Sequence, residues 1–200
     1  MTPTILLPAV PDSAIAAAAA TFLSEVSAPP MIHHCHRTFL FAELIGEKIG
    51  RIADQEALYV GALFHDLGLD YVTEGTDEFE VRGGKAAEEF LLTRGATTSL
   101  ASSVRTAISL HTSLASAEDE RPEVSLLHMG AMVDVIGMRI DDIPAKKLEQ
   151  VLEEHPRNGC KAHLRCLLGA EAKRKPASGI AVAMRDFNLG DLIQQAPFAD

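Results

Sequence analysis

Tryptophan is absent from this chain of 200 residues, and the aromatics together make up only 5% of it. That scarcity counts against a single-strand nucleic-acid binder, whose bases need aromatic faces to stack on. Basic residues are also few: 18 Lys and Arg against 28 Asp and Glu give a net charge of −10. No broad cationic surface is then available for duplex DNA or anionic lipid, so neither nucleic acid nor a membrane is expected as a partner. Cys35, Cys160 and Cys166 are too few and too scattered for a disulfide framework, and a reducing, cytoplasmic setting is expected. Long apolar runs are missing as well. The Ala-rich stretch Ser13–Ser24 falls short of the roughly 20 residues that cross a bilayer, and it follows Asp12 with no positive region ahead of it. It reads as a helix capped near Asp12 or Ser13 and closed before Pro29-Pro30.

What is present is a globular composition, 47% hydrophobic and 23% charged, with eight histidines. Apolar positions recur with helical spacing almost throughout, and no alternating strand pattern or internal repeat stands out. The spacing predicts helices over Ile32–Ile49, Asp54–Leu67 (stopping at Gly68), Gly84–Arg94, Thr98–His111, Val124–Met138, Ala145–Glu154 and Asn158–Lys173. Gly75, Pro122, Pro144, Pro156 and Pro176 mark junctions. The expectation is an all-α, single-domain bundle. Residues 1–29 form an N-terminal segment, 30–175 the compact domain, and 176–200 a docked arm or a mobile extension.

Polar residues stand where the pattern calls for apolar ones. Between Ala57 and Leu69 the only ionisable side chains besides Tyr59 are His65 and Asp66. Between Val124 and Met138 the only carboxylate is Asp134, on the face of Leu127, Ala131 and Met138, and His128 is the one other titratable group. A buried carboxylate costs several kcal/mol unless it is paired or holds a cation. One metal ion between the two helices would satisfy both. His34 shares a stripe with Thr38, Phe41 and Ile45, whereas His33 and His36 are rotated roughly 100° and 200° from it and read as surface residues. The mixed N/O set suits one divalent transition metal, Zn²⁺ or Fe²⁺ first and Mn²⁺ as a further option, with positions open for water and substrate. Each residue also has a structural reading, since core histidines and aspartates commonly hydrogen-bond backbone. Cys35, beside His34, reads as a small core residue or part of the site wall.

The order His34, His65-Asp66, Asp134 on an all-helical chain resembles the HD superfamily of metal-dependent hydrolases, named for that His-Asp pair. The resemblance covers roughly residues 30–170 and implies that these four residues are metal ligands. Further motifs are similar to those of the cyanamide hydratase-like group. They are His34-x-x-Arg37, Leu63-Phe64 before His65-Asp66-Leu67-Gly68, Phe79-Glu80-x-x-Gly83-Gly84, Ile108-x-x-His111 and Val133-Asp134-x-x-Gly137. HD phosphodiesterases often carry a lysine soon after the pair, where Leu69 and Asp70 stand here, and they tend to carry extra histidines for a second metal. Only His111 falls in that interval, so one metal is expected.

Glu80, read as lying in a connector after Gly75, is a candidate to take or deliver protons, with a surface position as its alternative. His111 is a candidate for substrate contact or acid chemistry. Arg37 is expected to orient the ligands, bind an anion or pair with a carboxylate. The first functional expectation is an enzyme that activates water on one metal to hydrate or hydrolyse a small molecule, such as the nitrile cyanamide. The alternatives are a phosphohydrolase acting on a nucleotide or other phosphate ester, with Arg37, Arg82 and Lys85 as its cations, and a non-catalytic metal-binding sensing or interaction domain. A homo-oligomer is compatible with the sequence.

Overall fold

The computed structural model describes residues 6–200, and among them there are eleven α-helices and no strand. Local chemistry starts several of them. Ser13, Asp54, Thr97 and Ser178 accept from the backbone N–H three residues on, capping α1 (Ala14–Val26), α3 (Gln55–Phe64), α6 (Thr98–Leu110) and α10 (Gly179–Asp186). The helix α2 (Pro29–Ile49) begins on the proline pair expected only to close α1, because a proline in the first turn lacks an N–H that has no helical partner anyway. It ends at Gly50, which takes a left-handed φ of 70°.

Two helices differ from the sequence reading in ways that shape the site. The expected helix over Asp54–Leu67 breaks at His65-Asp66, where Asp66 leaves helical geometry (φ −105°, ψ 9°), and it resumes as the short α4 (Leu67–Asp70). Gly68 is not a stop signal. A Cβ there would overlap the carbonyl of Phe79, so the glycine allows α4 to lie against the start of α5 (Phe79–Thr93). The helix α5 begins five residues earlier than the glycine pair suggested and carries Glu80 in its first turn rather than in a connector.

The core is built on two tight helix pairs. One is α5 on α6. The other is α2 on α7 (Pro122–Ile136), where a Cβ on Gly130 would overlap the Thr38 carbonyl and Ala42. Gly130 meets Thr38 while Asp134 meets His34, so α2 and α7 run antiparallel. Phe41, Ile45, Leu63, Phe64, Leu91, Ile108, Leu127 and Val133 fill the space between these helices. Beyond α8 (Ala145–Glu154) comes α9 (Cys160–Arg174), which supports α10 and α11 (Leu189–Gln195), two helices the periodicity did not foretell. Leu69, Phe79, Leu168, Ile180 and Ile193 form a second, smaller apolar cluster there. Among the described residues no helix is long and apolar enough to cross a membrane.

Candidate metal centre

The break in the chain at His65-Asp66 turns both side chains toward His34 on α2. His34 Nε2 stands 3.0 Å from His65 Nε2, and Asp66 Oδ2 lies 3.5 Å from each of those nitrogens. All three residues are buried. Donors bound at ~2.0–2.2 Å stand ~2.8–3.1 Å apart around an octahedral ion and ~3.3–3.6 Å apart around a tetrahedral one, so the triangle has the dimensions of a coordination site.

Proton positions strengthen that fit. His65 Nδ1 donates to the Ala62 carbonyl at 2.7 Å, and His34 Nδ1 donates to Asp134 Oδ2 at 2.7 Å. Both neutral rings then present lone pairs to each other across 3.0 Å. A metal cation between them relieves that opposition, as does a proton on His34 Nε2. Burial holds the His65 ring down to about 4, in the neutral form a metal needs. His34 is shifted the other way: burial disfavours its charge, but its hydrogen bonds to Asp134 and Asp66 raise it. Asp66 stays ionised against burial, well below the usual carboxylate range, held there by His65, His111 and His34.

Asp134, the fourth expected ligand, meets the other ring nitrogen of His34, and its oxygens are shared with two arginines. Arg37 reaches it in a fork, Nε to Oδ1 at 2.6 Å and Nη2 to Oδ2 at 2.9 Å, and Arg157 Nη1 donates to Oδ1 at 2.9 Å. Burial opposes its charge, but Arg37 and the His34 hydrogen bond keep the carboxylate ionised far below its ordinary range. His34, Asp134 and Cys160 also lie close enough together to be donors for a metal. Two guanidinium groups in contact with Asp134 repel any cation at that second place, and burial pushes the Cys160 thiol up to about 12.

Arg37 thus takes the carboxylate-pairing role among its three alternatives, with Nη1 also donating to the His155 and Pro156 carbonyls. His111 lies at the centre: its Nδ1 donates to the Ile108 carbonyl at 2.7 Å and its Nε2 is 3.6 Å from Asp66 Oδ1. His128 is buried and donates to the His111 carbonyl, fixing that helix end. Glu80 is buried too. Thr112 donates to its Oε1 at 2.6 Å, its Oε2 has no hydrogen-bond partner, and burial raises its carboxyl. His33 and His36 are half-buried rather than on the surface, with the His36 ring stacked on His155 at 4.8 Å. Arg157 carried no signal in the sequence, since a single arginine after Pro156 resembles any loop cation.

The donor triangle opens into a cavity of about 570 Å³ that also touches Glu80, His111 and Thr112. Among the described residues no lysine or arginine lines it. The three cations considered for a phosphate are engaged elsewhere: Arg37 with Asp134, Lys85 with Asp77 at 2.6 Å on the surface, and Arg82 with the Val72 and Gly68 carbonyls and Glu171.

Comparison with known families agrees with the geometry. A model of the HD domain matches residues 31–153, a span holding His34, His65, Asp66, Glu80, His111 and Asp134 but not Arg157 or the C-terminal helices. No curated protein matches the sequence. With more than half of its length matched and a His/Asp cluster able to hold a divalent metal at the centre of that match, the chain belongs to the HD domain family, whose members are generally metal-dependent hydrolases.

Proposed function

We propose that the protein is a single-metal hydrolase or hydratase that adds water to a small, non-phosphate electrophile. The observation that carries this reading is a donor triangle opening onto a cavity without a cation in its lining. A phosphoryl group concentrates negative charge and is normally met by Arg, Lys or additional metal. The motifs similar to the cyanamide hydratase-like group support a nitrile as the reacting group, with an amide as product.

His34, His65 and Asp66 would hold a divalent cation, of which Zn²⁺, Fe²⁺ and Mn²⁺ suit the donors. Bound there, such an ion supplies Lewis acidity and lowers the pKa of water. Asp134 keeps His34 in the tautomer that exposes Nε2, and Arg37 and Arg157 keep Asp134 charged. Glu80 is placed for proton transfer: Thr112 fixes one oxygen, and the other is unpartnered at the cavity wall. Its raised pKa makes it a better acceptor than an ordinary surface carboxylate. His111, beside Asp66, contacts the bound molecule or steadies that ligand.

The test is turnover by the metal-loaded protein of cyanamide and a set of larger nitriles, beside nucleoside monophosphates and a chromogenic phosphate ester. Amide formation from a nitrile is the expected result. Turnover confined to the phosphates would overturn the reading, and inertness toward every compound would favour a binding domain without catalysis.

A further inference from the structure

The cavity is far larger than a cyanamide-sized head requires. At ~30 Å³ per water-sized unit, three heavy atoms fill a small part of its roughly 570 Å³, which falls in the range of ~300–1,000 Å³ typical of clefts for drug-sized ligands. Its polarity is also lopsided. The donors, Glu80, His111 and Thr112 lie together, and much of the remainder is apolar: Met132 and Ile136 from α7, Leu168 from α9, Ile180 from α10, with the Glu78 carboxylate engaged by the Gly179 N–H. Four of the ten large hydrophobic side chains exposed among the described residues belong to this one lining. They are Leu114, Met138, Phe187 and Leu192, at 65%, 42%, 62% and 42% exposure. Apolar surface that lines a cavity and is left facing water marks a contact surface.

The wall is part of the fold. Lys161 Nζ donates to the Ala196 and Phe198 carbonyls at 2.9 and 2.7 Å, and Asp200 accepts from the Lys161 N–H. Glu78 accepts from the Gly179 N–H at 3.3 Å and ties the start of α10 to the start of α5. Arg157 stands over the Phe198 ring and bonds Asp134, so the same residues that fix the wall reach the partner of His34.

We propose that the protein acts on a small molecule with an uncharged apolar body. Only its reactive head meets His34, His65 and Asp66, and the body lies along Ile180, Phe187 and Leu192 of the C-terminal segment, which thereby sets specificity. This inference rests on the metal-hydrolase reading above and names its substrate class.

Straight-chain aliphatic hydroxamates of two to eight carbons test it by calorimetry, on full-length protein loaded with Zn²⁺ and on chelator-treated protein. Affinity is expected to rise about fourfold per methylene in both forms, with the metal adding a constant factor. Phe187→Ser with Leu192→Ser flattens the rise, and Leu92→Ser, exposed but outside the cavity, leaves it unchanged. All three positions are exposed, so folding, checked by circular dichroism, is preserved. A metal factor with no dependence on chain length would overturn the substrate class and leave the metal reading standing. A chain-length dependence with no metal factor would overturn the metal reading and with it the placement of the head. A dimer that dissolves in the Phe187/Leu192 variant would overturn the inference by making that surface an interface between copies.

Discussion

Asp134→Asn removes one negative charge from a place where two guanidinium groups depend on it. Arg37 is fully buried and Arg157 nearly so, and each donates to an Asp134 oxygen at 2.9 Å or closer. Taking one partner out of a buried ion pair costs ~3–5 kcal/mol, because the remaining charge is left without compensation. Near 200 residues each kcal/mol moves Tm by ~2–4 °C, so the metal-free variant is expected to melt ~6–20 °C below wild type. Metal affinity should fall by a separate route. Loss of the carboxylate that receives the His34 Nδ1 proton lowers the basicity of Nε2 and frees the ring, which at comparable sites costs ~10–100-fold. Differential scanning calorimetry in chelator gives the first number, and isothermal titration with Zn²⁺ gives the second. Adding Arg37→Met should restore part of the stability without restoring affinity. A variant that melts with wild type would refute the ion-pair argument. Abolition of binding as complete as in His65→Ala would make Asp134 a ligand in its own right.

Three further outcomes follow from the same geometry. Gly130→Ala forces a methyl into the Thr38 carbonyl and Ala42, and it should cost ~1–3 kcal/mol in a chemical melt; an unchanged midpoint would show that α2 and α7 do not meet there. Glu80→Gln should lower kcat ~10²–10⁴-fold with metal content unchanged, whereas kcat near wild type would remove Glu80 from the chemistry. His36 and His155 are pushed down to about 4, chiefly by burial, while the unfolded chain takes up their protons near pH 6.5. The unfolded state therefore binds more protons between those values, and stability should fall as pH drops from about 6.5 toward 4. His155→Asn should lessen that dependence, and an identical slope in the variant would contradict it.

The parts of this picture legible in the sequence are those with a local cause. A carboxylate alone in an apolar helix must be paired or hold a cation, and that placed Asp134 inward before any contact was known. Which partner it finds is a tertiary matter: Arg37 was one open reading, and Arg157 becomes a partner only because the loop before α9 folds back across α2 and α7. Gly83 and Gly84 resembled a helix start, yet they serve close contacts of α5, Gly83 near the Gly68 backbone and Gly84 against Ser109 and Arg105. Glycine as punctuation and glycine as a contact residue are written alike, and this set the expected start of α5 past Glu80. The helices α10 and α11, of eight and seven residues, are too short to establish a period, and Ile180 and Ile193 become core residues by docking near α9.

The central claim is tested most directly by crystals grown with Zn²⁺ and measured at its absorption edge. The account predicts one anomalous peak per chain at ~2.0–2.2 Å from His34 Nε2, His65 Nε2 and an Asp66 carboxylate oxygen, with Asp134 hydrogen-bonded behind His34. No peak at that triangle, or a peak between Asp134 and Cys160, would contradict it.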